Sequence, residues 1–473
     1  MPQLASISCL FFILYLFRTD LKKSNGPSMA LWVPLIWMFL AGSRWASSWL
    51  NLSAPLESVD AYSEGSPVDR AVFFSLIVAG AYILSRRKID WSRLLNRNQW
   101  IVLYFVYCLS SLAWADEPFV LIKRWIKDLG NPIMALVILT EQCPYQAAGV
   151  ILRRLAFLVL PLSVLFLKYY PNLGRTYHQG AVMYTGVSQQ KNGLGAICLI
   201  TGIALSWKFL HNRKGDFTWG EKDNLIDYIL IGMLAWLLYM ANSQTSFSCL
   251  VVVVSLFLVS RTTFIAQKPS RIIIVMICGV LLFPILEVTL HVEELVVGLL
   301  GRDLTLTDRT DVWKVVLELV PNPFVGAGFM SFWTGDRMAL IWKILGIPLV
   351  QAHSGYLEQY LNLGYIGVAF IGGIMLSGLL KVRKHVDVDP PGGMLRLGCI
   401  VTAILYNYTE ASFYGINNLW LLLLLGTINI SGQQEAKRTE TSTALQQKAP
   451  FHPLRLPFQP RPYRTNGRSA TSV

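Results

Sequence analysis

The chain alternates between long apolar runs and short polar connectors. Thirteen apolar segments lie near residues 2–17, 29–48, 71–85, 100–115, 131–142, 155–170, 192–210, 225–241, 247–260, 272–290, 356–380, 397–413 and 416–432. A helix needs about 20 apolar residues to cross a bilayer. The period-2 alternation of a membrane β-barrel is missing, so helices are left to satisfy the backbone in lipid. The pattern predicts an all-α, polytopic integral membrane protein of about 12–13 transmembrane helices with a large extracytoplasmic loop. The run at 131–142 is weak and open to a re-entrant reading. Residues 338–350 are apolar but interrupted, which suits a segment lying along the interface.

The connectors sort by charge. One set is basic and includes Arg86, Arg87 and Lys88, then Arg153 and Arg154, then Lys381, Arg383 and Lys384. The alternating set, 49–70, 116–130, 171–191, 242–246, 291–355 and 407–415, is mixed or acidic. Lys and Arg gather in cytoplasmic loops. The alternation therefore puts the basic connectors in the cytoplasm and 291–355 outside, with the N-terminus outside unless the first run fails to span. The expected organisation is 1–290 as N-terminal transmembrane helices, 291–355 as a large periplasmic loop, 356–432 as C-terminal transmembrane helices, and 433–473 as a disordered basic cytoplasmic tail. That tail is rich in Gln, Thr, Ser, Pro and Arg and poor in core-forming residues. Arg18, Lys22 and Lys23 after the first run fit a retained helix better than a cleaved signal peptide.

Composition agrees. The 473 residues are 53% hydrophobic and only 15% charged, against about 25% charged in soluble proteins. The net charge of +13 is accounted for by the loop bias and does not call for nucleic acid. The seven Cys are scattered, with no CxxC, HExxH or acidic cluster, so neither a metal nor a cofactor is expected. There is no internal repeat of the kind that builds transporter halves.

Candidate chemistry concentrates in Gly301–Gly367, where Arg302, Arg309, Asp311, Arg337 and His353 interrupt an otherwise apolar chain. Titratable groups at the edge of a membrane domain are a functional-site hypothesis. In TDRTDVW, Thr307 is a candidate N-cap and Arg309 falls in the first helical turn, where acids are preferred. An Arg there either meets an anion together with the backbone N–H groups or pairs with Asp308 or Asp311. VGAGF, 325–329, reads as a turn. His353 precedes an apolar helix from Tyr356, and it is either a general base or a helix-end hydrogen-bonder. Gly364 and Gly367 fit close helix packing. Arg175, His178 and Lys191 lie in a second outer loop, with Lys191-Asn192 opening an apolar helix. Lys123 and Arg124 sit in 111–131, an amphipathic interfacial segment. NSQTS, 242–246, is a polar turn without charge. Cations for a phosphorylated ligand and a base for a hydroxyl acceptor, on the outer face of a lipid-embedded domain, fit a lipid-pyrophosphate substrate.

These residues resemble motifs of the O-antigen ligase superfamily of bacterial envelope enzymes, which includes O-antigen and exopolysaccharide polymerases. His353-Ser354 followed by Gly364-Tyr-Ile-Gly367 is similar to the family's His-containing signature. Thr307-Asp-Arg309-Thr-Asp-Val-Trp313 is similar to its "GR-T-x-x-W" segment, with Asp308 where Gly is usual. Trp114-Ala-Asp-Glu-Pro118 and Gly186-Val-Ser-Gln-Gln-Lys191-Asn192 resemble its exopolysaccharide-polymerase-like branch. The resemblance implies a GT-C-like, metal-independent glycosyltransferase of the inner membrane. It would move glycan from an undecaprenyl-pyrophosphate donor to a glycan or lipid acceptor hydroxyl, in contact with membrane lipids and other polysaccharide export proteins. By that likeness His353 activates the acceptor and Arg309 holds the pyrophosphate, with Arg175, Lys191, Arg302 and Arg124 as further contacts. Ligases of the family tend to carry an Arg near the NSQTS turn, where Thr245 and Ser246 stand here. The alternative is a lipid-linked oligosaccharide flippase or other transporter.

Overall fold

A computed structural model describes residues 1–22, 28–51, 66–178, 180–211, 223–279 and 309–430. Arg302, Thr307, Asp308, the part of the expected 291–355 loop up to 308, and the tail from 433 lie outside the described residues. Helices of ten or more residues are numbered here in chain order. They are α1 (Pro2–Lys22), α2 (Trp32–Gly42), α3 (Pro67–Ser85), α4 (Gln99–Ser110), α5 (Pro118–Asp128), α6 (Gly130–Leu139), α7 (Pro144–Tyr169) and α8 (Lys191–His211). There follow α9 (Asp223–Ala241), α10 (Gln244–Val259), α11 (Arg309–Glu318), α12 (Gly335–Leu345), α13 (Gly355–Val388), α14 (Pro390–Thr409) and α15 (Asn418–Thr427). Residues 271–279 are also helical.

The protein is an all-α, multi-pass membrane protein. Among the described residues α1, α3, α7, α8 and α13 are long and apolar enough to cross a bilayer, and α2, α4, α9, α10 and α15 are shorter apolar helices. A small antiparallel hairpin of β1 (Arg175–His178) and β2 (Ala181–Tyr184) departs from the helical expectation. Helix starts carry local signals. Pro occupies the first turn of α3, α5, α7 and α14, where its missing N–H has no intrahelical role. Ser354 caps α13 and Asn417 caps α15.

Packing separates centre from edge. The apolar window of α7 is 83% buried and that of α1 only 17%, so α7 is a central post and α1 a peripheral helix. The sequence places Arg153 and Arg154 in a basic loop before a helix at 155. The structure corrects this: both lie inside α7 and are buried. Arg154 Nε donates to Asp20 (2.8 Å), Arg153 Nη2 to Asp227 (3.0 Å), and Lys208 also pairs with Asp227. Charges satisfied against one another inside a bundle carry no hydropathy signature of a helix, so hydropathy alone ends the helix short of them.

The feature that shapes the end of the bundle next to 309–355 is a break in α13. Gly364 has φ +63° and ψ −164°, outside helical geometry. The freed backbone groups are taken up by the preceding loop. Ala327 N–H donates to Leu361 O (3.1 Å) and Gly328 N–H to Asn362 O (2.8 Å), while Tyr365 N–H donates to Pro323 O (2.9 Å). A Cβ on Gly364 would lie 2.2 Å from the Phe324 carbonyl, and one on Gly326 2.4 Å from the Asn362 carbonyl carbon. VGAGF is therefore more than a turn, and Gly364 serves this docking rather than helix-helix contact.

Candidate active site

The segment from 309 to 352 has its own small core. Val312 and Val316 of α11, Met338 and Ile341 of α12, and Phe332 and Trp333 between them pack together with Ala352. This core holds the short loop 351–354 from two sides. Trp313 Nε1 donates to Ala352 O (2.8 Å), and Ala352 N–H donates to Glu358 Oε1 (2.5 Å). His353 follows in a left-handed conformation, φ +53°. For a non-glycine residue such strain costs about 1–3 kcal/mol and persists only where the surroundings over-determine it. Here the fixed Ala352 peptide, the Ser354 cap and the Gly355 N–H bond to Glu410 O (2.9 Å) do so.

Glu358 is the anchor behind the loop. It is fully buried, and besides Ala352 N–H it accepts from Trp333 Nε1 (2.9 Å), Tyr414 Oη (2.8 Å) and Asn362 Nδ2 (3.2 Å). Burial pushes the Tyr414 hydroxyl well above its ordinary value, and the neighbouring Glu358 carboxylate adds to the rise.

In front of the loop, four segments meet on Glu410. This residue ends α14, with its N–H bonded to Tyr406 O (3.0 Å). Its Oε1 accepts from Asn192 Nδ2 of α8 (2.8 Å) and from Arg309 Nη2 of α11 (3.3 Å). Its Oε2 lies 3.6 Å from His353 Nδ1. Arg309 Nη1 also donates to Thr409 O, and the Thr409 hydroxyl bonds Thr245 of the NSQTS turn (2.7 Å). The amide of Gln351 reaches His353 Nδ1 at 3.4 Å. The side chains of His353 and Arg309 remain 29% and 21% exposed and that of Glu410 10%. The result is an accessible imidazole and an accessible guanidinium joined by one largely buried carboxylate.

The structure thus brings His353 and Arg309 onto one group, with Lys191 next to Asn192 at the start of α8. Lys191 has no hydrogen bond or ion pair among the described residues. Arg124 donates to Met330 O beneath the α13-break loop, and burial lowers its pKa. Arg175 donates to Leu167 O (2.8 Å) and lies over the Tyr184 ring. Among the described residues it forms no hydrogen bond or ion pair with Glu410, Arg309 or His353. Arg337 is paired with Asp116 (2.8 Å). His178 belongs to β1, and its side chain is outside the description. Among the described residues no three His, Cys, Asp or Glu side chains gather as a metal site. Sequence reasoning missed Glu410 and Glu358. The available signals were an acid closing an apolar helix and an acid five residues after His353.

No family model matches the chain. It is 24% identical over 382 residues to the exopolysaccharide production protein ExoQ of Rhizobium meliloti, covering 77% of this chain and 84% of that protein. It is 22% identical over 349 residues to a Rickettsia prowazekii protein provisionally named as a polysaccharide ligase, covering 70% of this chain and 80% of that protein.

Proposed function

We propose, on the premise of the likeness to the O-antigen ligase and polysaccharide polymerase superfamily that both relatives bear out, that this chain is a membrane glycosyltransferase of the cell envelope. It takes glycan from an undecaprenyl-pyrophosphate carrier and joins it to an acceptor hydroxyl on the periplasmic face of the inner membrane. The observation that carries the reading is the meeting of Arg309 and His353 on Glu410. Arg309 offers a planar pair of donors suited to a phosphate, with Lys191 as a second cation. His353 takes the proton of the acceptor hydroxyl. The acceptor oxygen bonds to the anomeric carbon, the bond from that carbon to the pyrophosphate breaks, and the lipid pyrophosphate leaves with its new charge against Arg309. No metal is needed for this sequence of bond changes.

Purified protein reconstituted in vesicles with a lipid-pyrophosphate oligosaccharide tests it, by scoring new glycosidic bonds with mass spectrometry. His353→Ala and Arg309→Ala should each lose transfer by about 10²-fold or more while inserting and melting like the parent. Transfer retained in both variants would refute the site.

A further inference from the structure

Resting on that reading, we propose that Glu410 is a positioning residue that switches the His353 tautomer when a pyrophosphate occupies Arg309. Two groups compete for His353 Nδ1. The Gln351 amide stands at 3.4 Å and the Glu410 carboxylate at 3.6 Å. An amide N–H donating to Nδ1 leaves the ring proton on Nε2, where it blocks that nitrogen as a base. A carboxylate demands the opposite: a proton on Nδ1, leaving the Nε2 lone pair free.

In the structure the carboxylate is engaged elsewhere. Arg309 Nη2 and Asn192 Nδ2 both donate to Oε1, and the distance from Oε2 to Nδ1 is beyond ordinary hydrogen-bond length. Arg309 therefore neutralises the group that would set the imidazole. Its own guanidinium is held by Glu410 and the Thr409 carbonyl, an arrangement in which a doubly charged pyrophosphate competes directly with Glu410. When the anion takes the guanidinium, Glu410 keeps Asn192 but loses its counter-cation. Its strongest remaining partner is then Nδ1–H. One proton leaves Nε2 to solvent and one arrives at Nδ1, with no net change of charge on the ring. The base is armed only when the leaving group is in place, so an acceptor hydroxyl meeting an empty donor site is not activated.

The backbone suits this arrangement. His353 is held in its left-handed conformation by Ala352 and Gly355, and Gly355 N–H is bonded to the carbonyl of Glu410 itself. The imidazole and the carboxylate thus keep a fixed relation while the side-chain partners exchange.

The test uses the full chain in lipid nanodiscs, labelled with ¹⁵N-histidine. The His353 signals are identified by their loss in His353→Asn, and spectra are recorded over a pH series so that the neutral ring is sampled. Inorganic pyrophosphate is the probe, and its binding is followed by phosphorus resonance broadening that Arg309→Ala removes. The expected result is a neutral ring protonated at Nε2 without pyrophosphate and at Nδ1 with it. In Glu410→Gln the change should be absent, and kcat for transfer should fall by about 10²-fold or more while KM for the donor falls rather than rises, because no carboxylate then competes with the pyrophosphate for Arg309. Bound pyrophosphate with an unchanged His353 tautomer overturns the switch while leaving the site reading intact. Pyrophosphate that binds equally well to Arg309→Ala overturns both.

Discussion

Replacing Glu358 with Gln tests how His353 is held. The carboxylate accepts from four donors, Ala352 N–H at 2.5 Å, Trp333 Nε1 at 2.9 Å, Tyr414 Oη at 2.8 Å and Asn362 Nδ2 at 3.2 Å. A glutamine offers one carbonyl oxygen and one NH₂. With its oxygen toward Ala352 and Trp333, its NH₂ faces Tyr414, whose hydroxyl can turn to accept, and Asn362, which cannot accept through its nitrogen. Three bonds weaken from charge-assisted to neutral, and one donor pair is set face to face. At about 1 kcal/mol for each, the loss is about 3–4 kcal/mol. That is a large share of a stability of about 5–15 kcal/mol, yet compatible with folding. The loop 351–354 loses its firmest anchor, and a misplacement of about 1 Å at a reacting group costs about 10²-fold in rate. We therefore expect a lowered melting midpoint in detergent together with transfer reduced far more than the folded fraction. A double-mutant cycle with Trp333→Phe should show a coupling of about 1–2 kcal/mol. Wild-type melting and wild-type transfer in Glu358→Gln would refute the anchor.

The break in α13 should tolerate no side chain: Gly364→Ala and Gly326→Ala each drive a Cβ into backbone and should cost about 4 kcal/mol or more. Gly372→Ala in the same helix meets open space and should melt within about 1 kcal/mol of the parent, so equal melting of all three would contradict the docking. Asp128 is fully buried at the end of α5, where desolvation raises its carboxyl from 3.8 to about 8. The folded state then holds a proton the unfolded state releases, so this contribution is complete below the unfolded value and is lost as pH rises through about 8, by up to about 1.4 kcal/mol per pH unit. Melting midpoints from pH 5 to 9 should slope downward in the parent and less so in Asp128→Asn, and parallel profiles would rule this out. Cys143 is exposed between α6 and α7, on a connector expected in the cytoplasm. A membrane-impermeant maleimide should label it, with the other cysteines removed, only after the cells are opened.

The helices were legible because lipid demands long apolar runs, and nearly every expected run has a helix beneath it. Their limits were not. Hydropathy begins at 155, but α7 begins at Pro144, because Arg153 and Arg154 are paired within the bundle. The meeting of His353 and Arg309 followed from residue types and from their common place on one polar stretch between apolar runs. What joins them was hidden: Glu410 lies in another segment, and nothing along the chain says that the starts of α8 and α11 meet the end of α14. Gly364 was visible as a small residue in a helix, but a positive φ is a property of the backbone path and leaves no trace in apolar spacing. The hairpin at 175–184 was lost for a similar reason, being too short for alternation to register.

The buried charges bear on the choice between enzyme and transporter. A transporter of lipid-linked sugars is expected to carry polar groups along its mid-membrane path. This chain does bury ions in its bundle, in Arg153, Arg154, Lys208, Asp20 and Asp227. Their placement argues against a path. Asn192, which touches Glu410, and Lys208, which touches Asp227, are both on α8. Sixteen residues of helix put them about 24 Å apart. Between them α8 runs Gly-Leu-Gly-Ala-Ile-Cys-Leu-Ile-Thr-Gly-Ile-Ala-Leu-Ser-Trp, and Thr201 spends its hydroxyl on the carbonyl of Ile197 in its own helix. The charges that α8 touches therefore form two groups at opposite ends of an apolar shaft. The group on α1, α7, α8 and α9 has cations and carboxylates bound to each other, so moving one would strand a buried charge at a cost of about 3–5 kcal/mol. The group at Glu410 has its imidazole and guanidinium partly open. A tightly paired network locks four helices, whereas the open one can exchange partners with a substrate. That division suits a protein that does chemistry at one membrane face better than one that carries a charged headgroup across.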